Sequence, residues 1–258
     1  MLKLAANLDW LFCERPIAER FQAAKAAGFH GVEGLFLWQH PLDVLLAAQR
    51  ETGLPVALMN APAGHWQAGE RGLASLPGCD EEYHRSLLIA RDYATALGCR
   101  KVHVMAGLRV NGLSASTQHE QLIARLRIAC DVMVEAGIDV LIEPLNPEDM
   151  PGYFIDSFPL AESLINDVAR NNIGLQFDIY HCQKIHGNVA HLIEHYLPII
   201  KHFQIASVPG RHEPGTGELN ETWLFNFIKQ TGYQGWIGCE YKPSTPGPES
   251  LIWMTPYL

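Results

Sequence analysis

The chain has 258 residues, 48% of them hydrophobic, and a formal net charge of −9 at pH 7. About 250 residues is typical of an eight-fold β/α barrel, so one domain over residues 1–258 is expected. The acidic balance argues against a nucleic-acid partner, whose binding rests on Lys and Arg neutralising phosphates, and no run approaches the roughly 18 apolar residues of a membrane span.

In chain order, residues 3–8 read as a short strand passing Asn7. Pro16 suits the first turn of a helix that repeats Ile17, Phe21 and Ala24 on one face and stops at Gly28. A strand over 31–35 carries Glu33, a helix over 42–52 ends at Gly53, and residues 55–60 form the third strand. Residues 61–78 hold Pro62, Gly64, Gly69, Gly72, Pro77 and Gly78 without apolar periodicity, the mark of a long functional loop such as a lid. A helix from Asp80 places Tyr83, Leu87, Ala90, Ala94 and Leu97 on one face before Gly98, and a strand over 101–105 follows. The next helix, 116–136, keeps Leu122, Leu126, Ala129 and Met133 in register up to Gly137. Then come a strand ending at Glu143, a helix capped by Ser157, a strand over 173–178, a helix over 189–196 and a strand over 200–204. A helix over 221–230, a strand over 236–240 and a short C-terminal helix after residues 244–248 complete the chain. Eight strand and helix alternations favour a parallel sheet closed into a (β/α)8 TIM barrel over an open sheet.

Val140-Leu-Ile-Glu-Pro-Leu-Asn146 organises the chemistry: an apolar run stops at Glu143, and Pro144 cannot continue the ladder. Asp178, Gln204 and Glu240 stand at three further strand ends. A lone carboxylate there is usually a solvated loop residue. Four oxygen-bearing side chains at the same end of a parallel barrel suit a Mg²⁺ or Mn²⁺ site, or an acid–base pair facing a substrate from two sides. Gln204 is either a neutral ligand or a hydrogen-bonded polar residue of the barrel. His181 could polarise a substrate oxygen or be an ordinary loop residue. Arg211, in the Pro- and Gly-rich loop after Gln204, could clamp a carboxylate bidentately or lie on the surface, with Lys242 a weaker candidate for the same task.

His191-Leu-Ile-Glu194-His195 matches a zinc-peptidase pattern and is set aside, because a five-residue match is cheap and its helix belongs outside the barrel. Gly215-Thr-Gly217 is too short for a dinucleotide fingerprint. The six cysteines are scattered without a C-x-x-C pair and read as buried free thiols of a reducing compartment. With Asp9 and Glu14 near the start and no long apolar stretch there, a cytoplasmic protein is expected.

Longer motifs add a resemblance. His103-Val-Met-Ala-Gly107, Ile142-Glu-Pro-Leu-Asn146 with Met150-Pro-Gly-Tyr153, Phe177-Asp-Ile-Tyr-His-Cys-Gln183, Gln204-Ile-Ala206, Pro209-Gly-Arg-His-Glu-Pro-Gly-Thr-Gly-Glu218 and Gly235-Trp-Ile-Gly-Cys-Glu-Tyr-Lys-Pro243 resemble the hydroxypyruvate isomerase family, which is close to the 2-oxo-tetronate isomerases among the xylose isomerase-like barrels. The resemblance implies that Glu143 and Glu240 are the proton donor and acceptor, and that Glu143, Asp178, Gln204 and Glu240 hold a divalent cation, Mg²⁺ or Mn²⁺. It also implies that His181 and Arg211 hold substrate oxygens. Gly34, Leu37-Trp38, His65 and Ser207-Val208 depart from the usual pattern at positions that would line or cover a substrate.

The implied reaction converts hydroxypyruvate to tartronate semialdehyde (2-hydroxy-3-oxopropanoate) through an enediolate, and the segment after Glu143 favours this over a 2-oxo-tetronate. The implied partner is a small anionic hydroxy-keto acid, with a homo-oligomer in keeping with such an enzyme. A ketose 3-epimerase, an abasic-site endonuclease and a non-catalytic binding protein are the rival readings.

Overall fold

Eight parallel strands, paired in sequence order with the last against the first, close into a barrel in the computed structural model, which describes residues 2–257. They are β1 (Lys3–Asn7), β2 (Gly31–Gly34), β3 (Val56–Asn60), β4 (Lys101–His103), β5 (Asp139–Ile142), β6 (Ile173–Asp178), β7 (Ile200–Ile205) and β8 (Trp236–Cys239). The helices α1 (Ile17–Ala26), α2 (Leu42–Thr52), α3 (Asp80–Leu97), α4 (Ala115–Val134), α5 (Phe158–Val168), α6 (Ile179–Ile185), α7 (Val189–Tyr196) and α8 (Glu221–Gln230) connect them. Nearly every strand residue is buried, because helices cover the outside and side chains fill the interior. No helix of the described residues is long and apolar enough to cross a membrane.

Helix ends follow local chemistry. Ser114 accepts from the Thr117 N–H at 3.1 Å and starts α4, Asn220 accepts from the Trp223 N–H at 3.0 Å and starts α8, and Gly98 ends α3 in the left-handed region. Ser157 precedes α5 as expected, yet its side chain makes no capping bond, and Pro159 in the first turn shapes that start. The fourth strand stops at His103 rather than Met105, since the chain leaves the sheet to turn at Gly107. The turn after β6 is itself a helix, α6, with Asp178 as its cap. The C-terminal segment is a three-ten helix, Pro248–Tyr257.

Strand register sets the ring of side chains at the carboxyl end. Asn7 lies opposite Glu33, Asn60 opposite His103, Asp178 opposite Gln204, and Gln204 opposite Gly238. The 61–78 loop is docked there: Gly72 pairs antiparallel with Ala106, and the Ser75 N–H donates to the Ala106 carbonyl at 2.7 Å. All six cysteines are free thiols; Cys99, Cys130, Cys182 and Cys239 are buried, whereas Cys13 is exposed and Cys79 half-buried, because both lie in loops outside the strands.

Candidate active site

A cleft of about 480 Å³ opens at the carboxyl end of the strands. Glu143, His181, Arg211, Glu240 and Lys242 all line it. Glu143 follows β5 and is buried, and its Oε2 accepts from Gln176 Nε2 at 2.9 Å. The same Gln176 nitrogen donates to Gln204 Oε1 at 2.6 Å, so the Glu143 carboxylate and the Gln204 amide oxygen share one donor. Glu240 follows β8 and accepts from Gln204 Nε2 at 2.6 Å, Asn7 Nδ2 at 3.1 Å and Arg211 Nη2 at 2.5 Å. Asp178 caps α6 by accepting from the Tyr180 N–H at 2.8 Å, and it lies 3.5 Å from Arg211 Nη2.

Arg211 therefore does not reach for solvent. Its backbone turns through the left-handed region, with φ 53°, and its guanidinium packs 4.6 Å over the Trp10 ring and 4.8 Å over Tyr180. This charge is neutralised by Glu240 and Asp178, while Nη1 lies 3.9 Å from Asp149 and Nε has no partner among the described residues. Lys242 is exposed at the rim, and its backbone N–H donates to the Arg211 carbonyl at 2.8 Å.

Electrostatics follow from burial. Desolvation, then the charges of Asp178 and Glu240, push Glu143 well above the usual carboxylate range. Desolvation raises Asp178 to about 6 and Glu240 to about 8, with Arg211 opposing both shifts. His181 is held well below its ordinary value by burial and then by Arg211. Its Nδ1 accepts the Asn146 backbone N–H at 3.1 Å, so the neutral ring carries its proton on Nε2, 3.7 Å from Asp178 Oδ2.

One ligand atom each from Glu143, Asp178 and His181 lie within 4.8 Å of one another. The tautomer makes His181 an N–H donor in that group, which leaves the carboxylates, with the Gln204 oxygen beside them, as hard donors of the kind Mg²⁺ or Mn²⁺ takes. Glu143, Asp178, Gln204 and Glu240 thus lie in one hydrogen-bonded layer, in which Glu240 is also engaged by Asn7, Arg211 and the Gln204 amide.

Sequence reading passed over part of the layer. Gln176, His202, His103 and Asn60 face inward from buried strands, and Glu33, noted only as a strand residue, is fully buried. The signal was there: a polar side chain inside a strand that is otherwise apolar on both faces needs a partner.

The model of the xylose isomerase-like TIM barrel family matches residues 21–257. The 2-oxo-tetronate isomerase of Cupriavidus necator is 42% identical over 258 residues, spanning 100% of this chain and 99% of the relative. The hydroxypyruvate isomerase of Escherichia coli is 40% identical over 257 residues and all of both chains. The crystal structure of an AP endonuclease, family 2, from Brucella melitensis superposes with a TM-score of 0.97 at 44% identity, covering 100% of this chain and 99% of that one. With full-length relatives named isomerases and eight parallel strands closed around the cleft, the chain belongs to the xylose isomerase-like TIM barrel family and is an isomerase.

Proposed function

We propose that the protein interconverts hydroxypyruvate and tartronate semialdehyde through an enediolate, with Glu143 and Glu240 as the acid–base pair. The observation that carries this reading is the convergence of two buried glutamates, Glu143 raised well above the ordinary carboxylate range and Glu240 to about 8, on one cleft that also holds a buried arginine. One carboxylate removes a proton from C3 of hydroxypyruvate, and a proton is returned to C2. The hydroxyl proton on O3 moves to O2, so the two carbons exchange oxidation states with no external oxidant.

The chain's own groups support each requirement. Arg211 has Nε and Nη1 left to meet a substrate carboxylate, and Lys242 stands at the rim nearby. His181 presents an N–H toward the carboxylates, suited to a substrate oxygen. The 61–78 loop brings Trp66 to the cleft, against Phe36 at 5.4 Å, which limits water. Glu143, Asp178, Gln204 and Glu240 are the residues that would hold a divalent cation, which when bound supplies Lewis-acid polarisation of neighbouring oxygens. The carboxylate-rich cleft of a chain with net charge −9 weighs against an abasic duplex as substrate.

A second reading, the same chemistry on a 2-oxo-tetronate, is favoured by the name of the Cupriavidus necator relative and by a cleft of about 480 Å³, roomy for a three-carbon acid. Incubation with hydroxypyruvate in D₂O, with and without chelator, followed by NMR, tests the proposal. Deuterium exchange and product that disappear with chelator are expected, as is loss of turnover in Glu143→Gln and Glu240→Gln. Exchange without product transfers the assignment to the tetronates, and turnover retained in both variants overturns the acid–base pair.

A further inference from the structure

His103 ends β4 and Asn60 ends β3, side by side in register, and both line the cleft. They are almost wholly enclosed, with exposures of 1% and 5%. Neither ring nitrogen of His103 has a hydrogen-bond partner among the described residues, and neither does Asn60 Oδ1. The nearby charged group is Glu143, whose Oε2 lies 3.7 Å from His103 Nδ1. Buried polar atoms are ordinarily paired, and three unpaired ones on adjacent strand ends, in one wall of a cleft, constitute a built receptor for a polar ligand group.

The chemistry of the wall selects that group. Asn60 Oδ1 can only accept, while a neutral imidazole offers one donor and one acceptor. A hydroxyl satisfies this set, donating to the amide oxygen and accepting from the ring N–H. A carboxylate, which only accepts, leaves the Asn60 oxygen without a donor and sets a second carboxyl group against Glu143. Of the cleft's cations, Lys184 on α6 is engaged by Glu148 at 2.6 Å, which leaves Arg211 and Lys242, from the loops after β7 and β8.

We infer that Asn60 and His103 form a hydroxyl-recognising subsite that orients the substrate, placing its terminal hydroxymethyl group beside Glu143 and its carboxylate toward Arg211. The inference rests on the keto-acid isomerase reading for the identity of the substrate. These two residues are then the specificity determinants that separate 3-hydroxy-2-keto acids from their deoxy counterparts, since a site built to pair a hydroxyl rejects the analogue without it.

The test uses glycerate and lactate, which share a carboxylate and a 2-hydroxyl and differ only in the 3-hydroxyl. Isothermal titration of the unaltered protein is expected to give glycerate at least about tenfold tighter binding than lactate. Asn60→Ala and His103→Ala each reduce that preference to about twofold or less, with an unchanged far-ultraviolet spectrum reporting an intact fold. His103→Gln, which keeps a donor and an acceptor, retains part of it. Equal affinities in the unaltered protein, no binding of either acid, or a preference that survives both alanine variants overturns the subsite. Hydroxypyruvate turnover in the same preparations separates the two readings. Turnover without the glycerate preference leaves the isomerase and removes the subsite; the preference without turnover upholds the subsite and removes the reaction.

Discussion

His202 Nε2 lies 2.7 Å from Glu33 Oε2, both side chains fully buried, on strands β7 and β2, which are separated around the barrel by β8 and β1. The other Glu33 oxygen accepts from Asn7 Nδ2 at 3.0 Å and Gln204 Nε2 at 2.9 Å, the same two nitrogens that donate to Glu240 Oε2. Burial raises Glu33 to about 7 and holds His202 well below its ordinary value, so the contact is a hydrogen bond between neutral partners rather than an ion pair.

That burial makes stability depend on pH. A carboxylate with a folded-state pKa of about 7 against an ordinary 4.5 binds more protons folded than unfolded in that window. The contribution of Glu33 is therefore fully present at low pH and declines as pH rises through 7, by up to about 3 kcal/mol. Denaturant midpoints of the unaltered protein and Glu33→Gln, compared at pH 5 and 8, should show a steeper decline for the unaltered protein. Parallel profiles would remove this account of Glu33.

Gly238 on β8 leaves the space that Glu33 fills, since a Cβ there would fall on both carboxylate oxygens. Gly238→Ala is expected to destabilise by about 3 kcal/mol, because the obstructed group is held by hydrogen bonds and cannot retreat. Gly174→Ala meets the Lys201 stem and the Ile199 carbonyl oxygen at 3.0 Å instead, and should cost about 1 to 2 kcal/mol by thermal melting, less than Gly238→Ala. Equal losses in the two variants would show that the carboxylate has room to move.

Arg211 opposes the upward shift of Glu240. Its replacement by Ala should move the acid limb of the kcat/KM profile to higher pH, so that activity lost at pH 7 partly returns on raising the pH. Arg211→Lys keeps the charge but not the fork, and should raise KM by roughly tenfold or more with a smaller pH shift. An unchanged profile in Arg211→Ala would mean that Glu240 is not the titrating base.

Gly72 adopts φ 125°, and a Cβ there would meet the Met105 carbonyl, so Gly72→Ala should release the 61–78 loop from its pairing with Ala106. The expected result is faster proteolysis within the loop and a rise in KM of roughly tenfold, with the barrel's far-ultraviolet spectrum preserved. Unaltered kinetics alongside faster cleavage would separate this loop from catalysis.

What the linear chain determined was local. Apolar runs alternating with helical periodicity specify eight β/α units, and Pro144 after Glu143 marks a strand end without any tertiary information. By the same logic Glu143, Asp178, Gln204 and Glu240 fall on one end of the barrel. The helix Ile179–Ile185 escaped because it follows Asp178 without a loop and is only 7 residues long, too short to display a period. Only closure of the barrel decided which side chains meet. Glu33 and His202 are 169 residues apart, and their contact exists because non-adjacent strands of a closed barrel share one interior. The Arg211 guanidinium lies on Glu240 for a similar reason: a loop conformation with φ 53° and stacking on Trp10 aim it inward, and neither is encoded by the residues immediately around it. Strand ends are set by nearest neighbours along the chain, whereas partners across the cleft are set by register and closure, which are properties of the whole sheet.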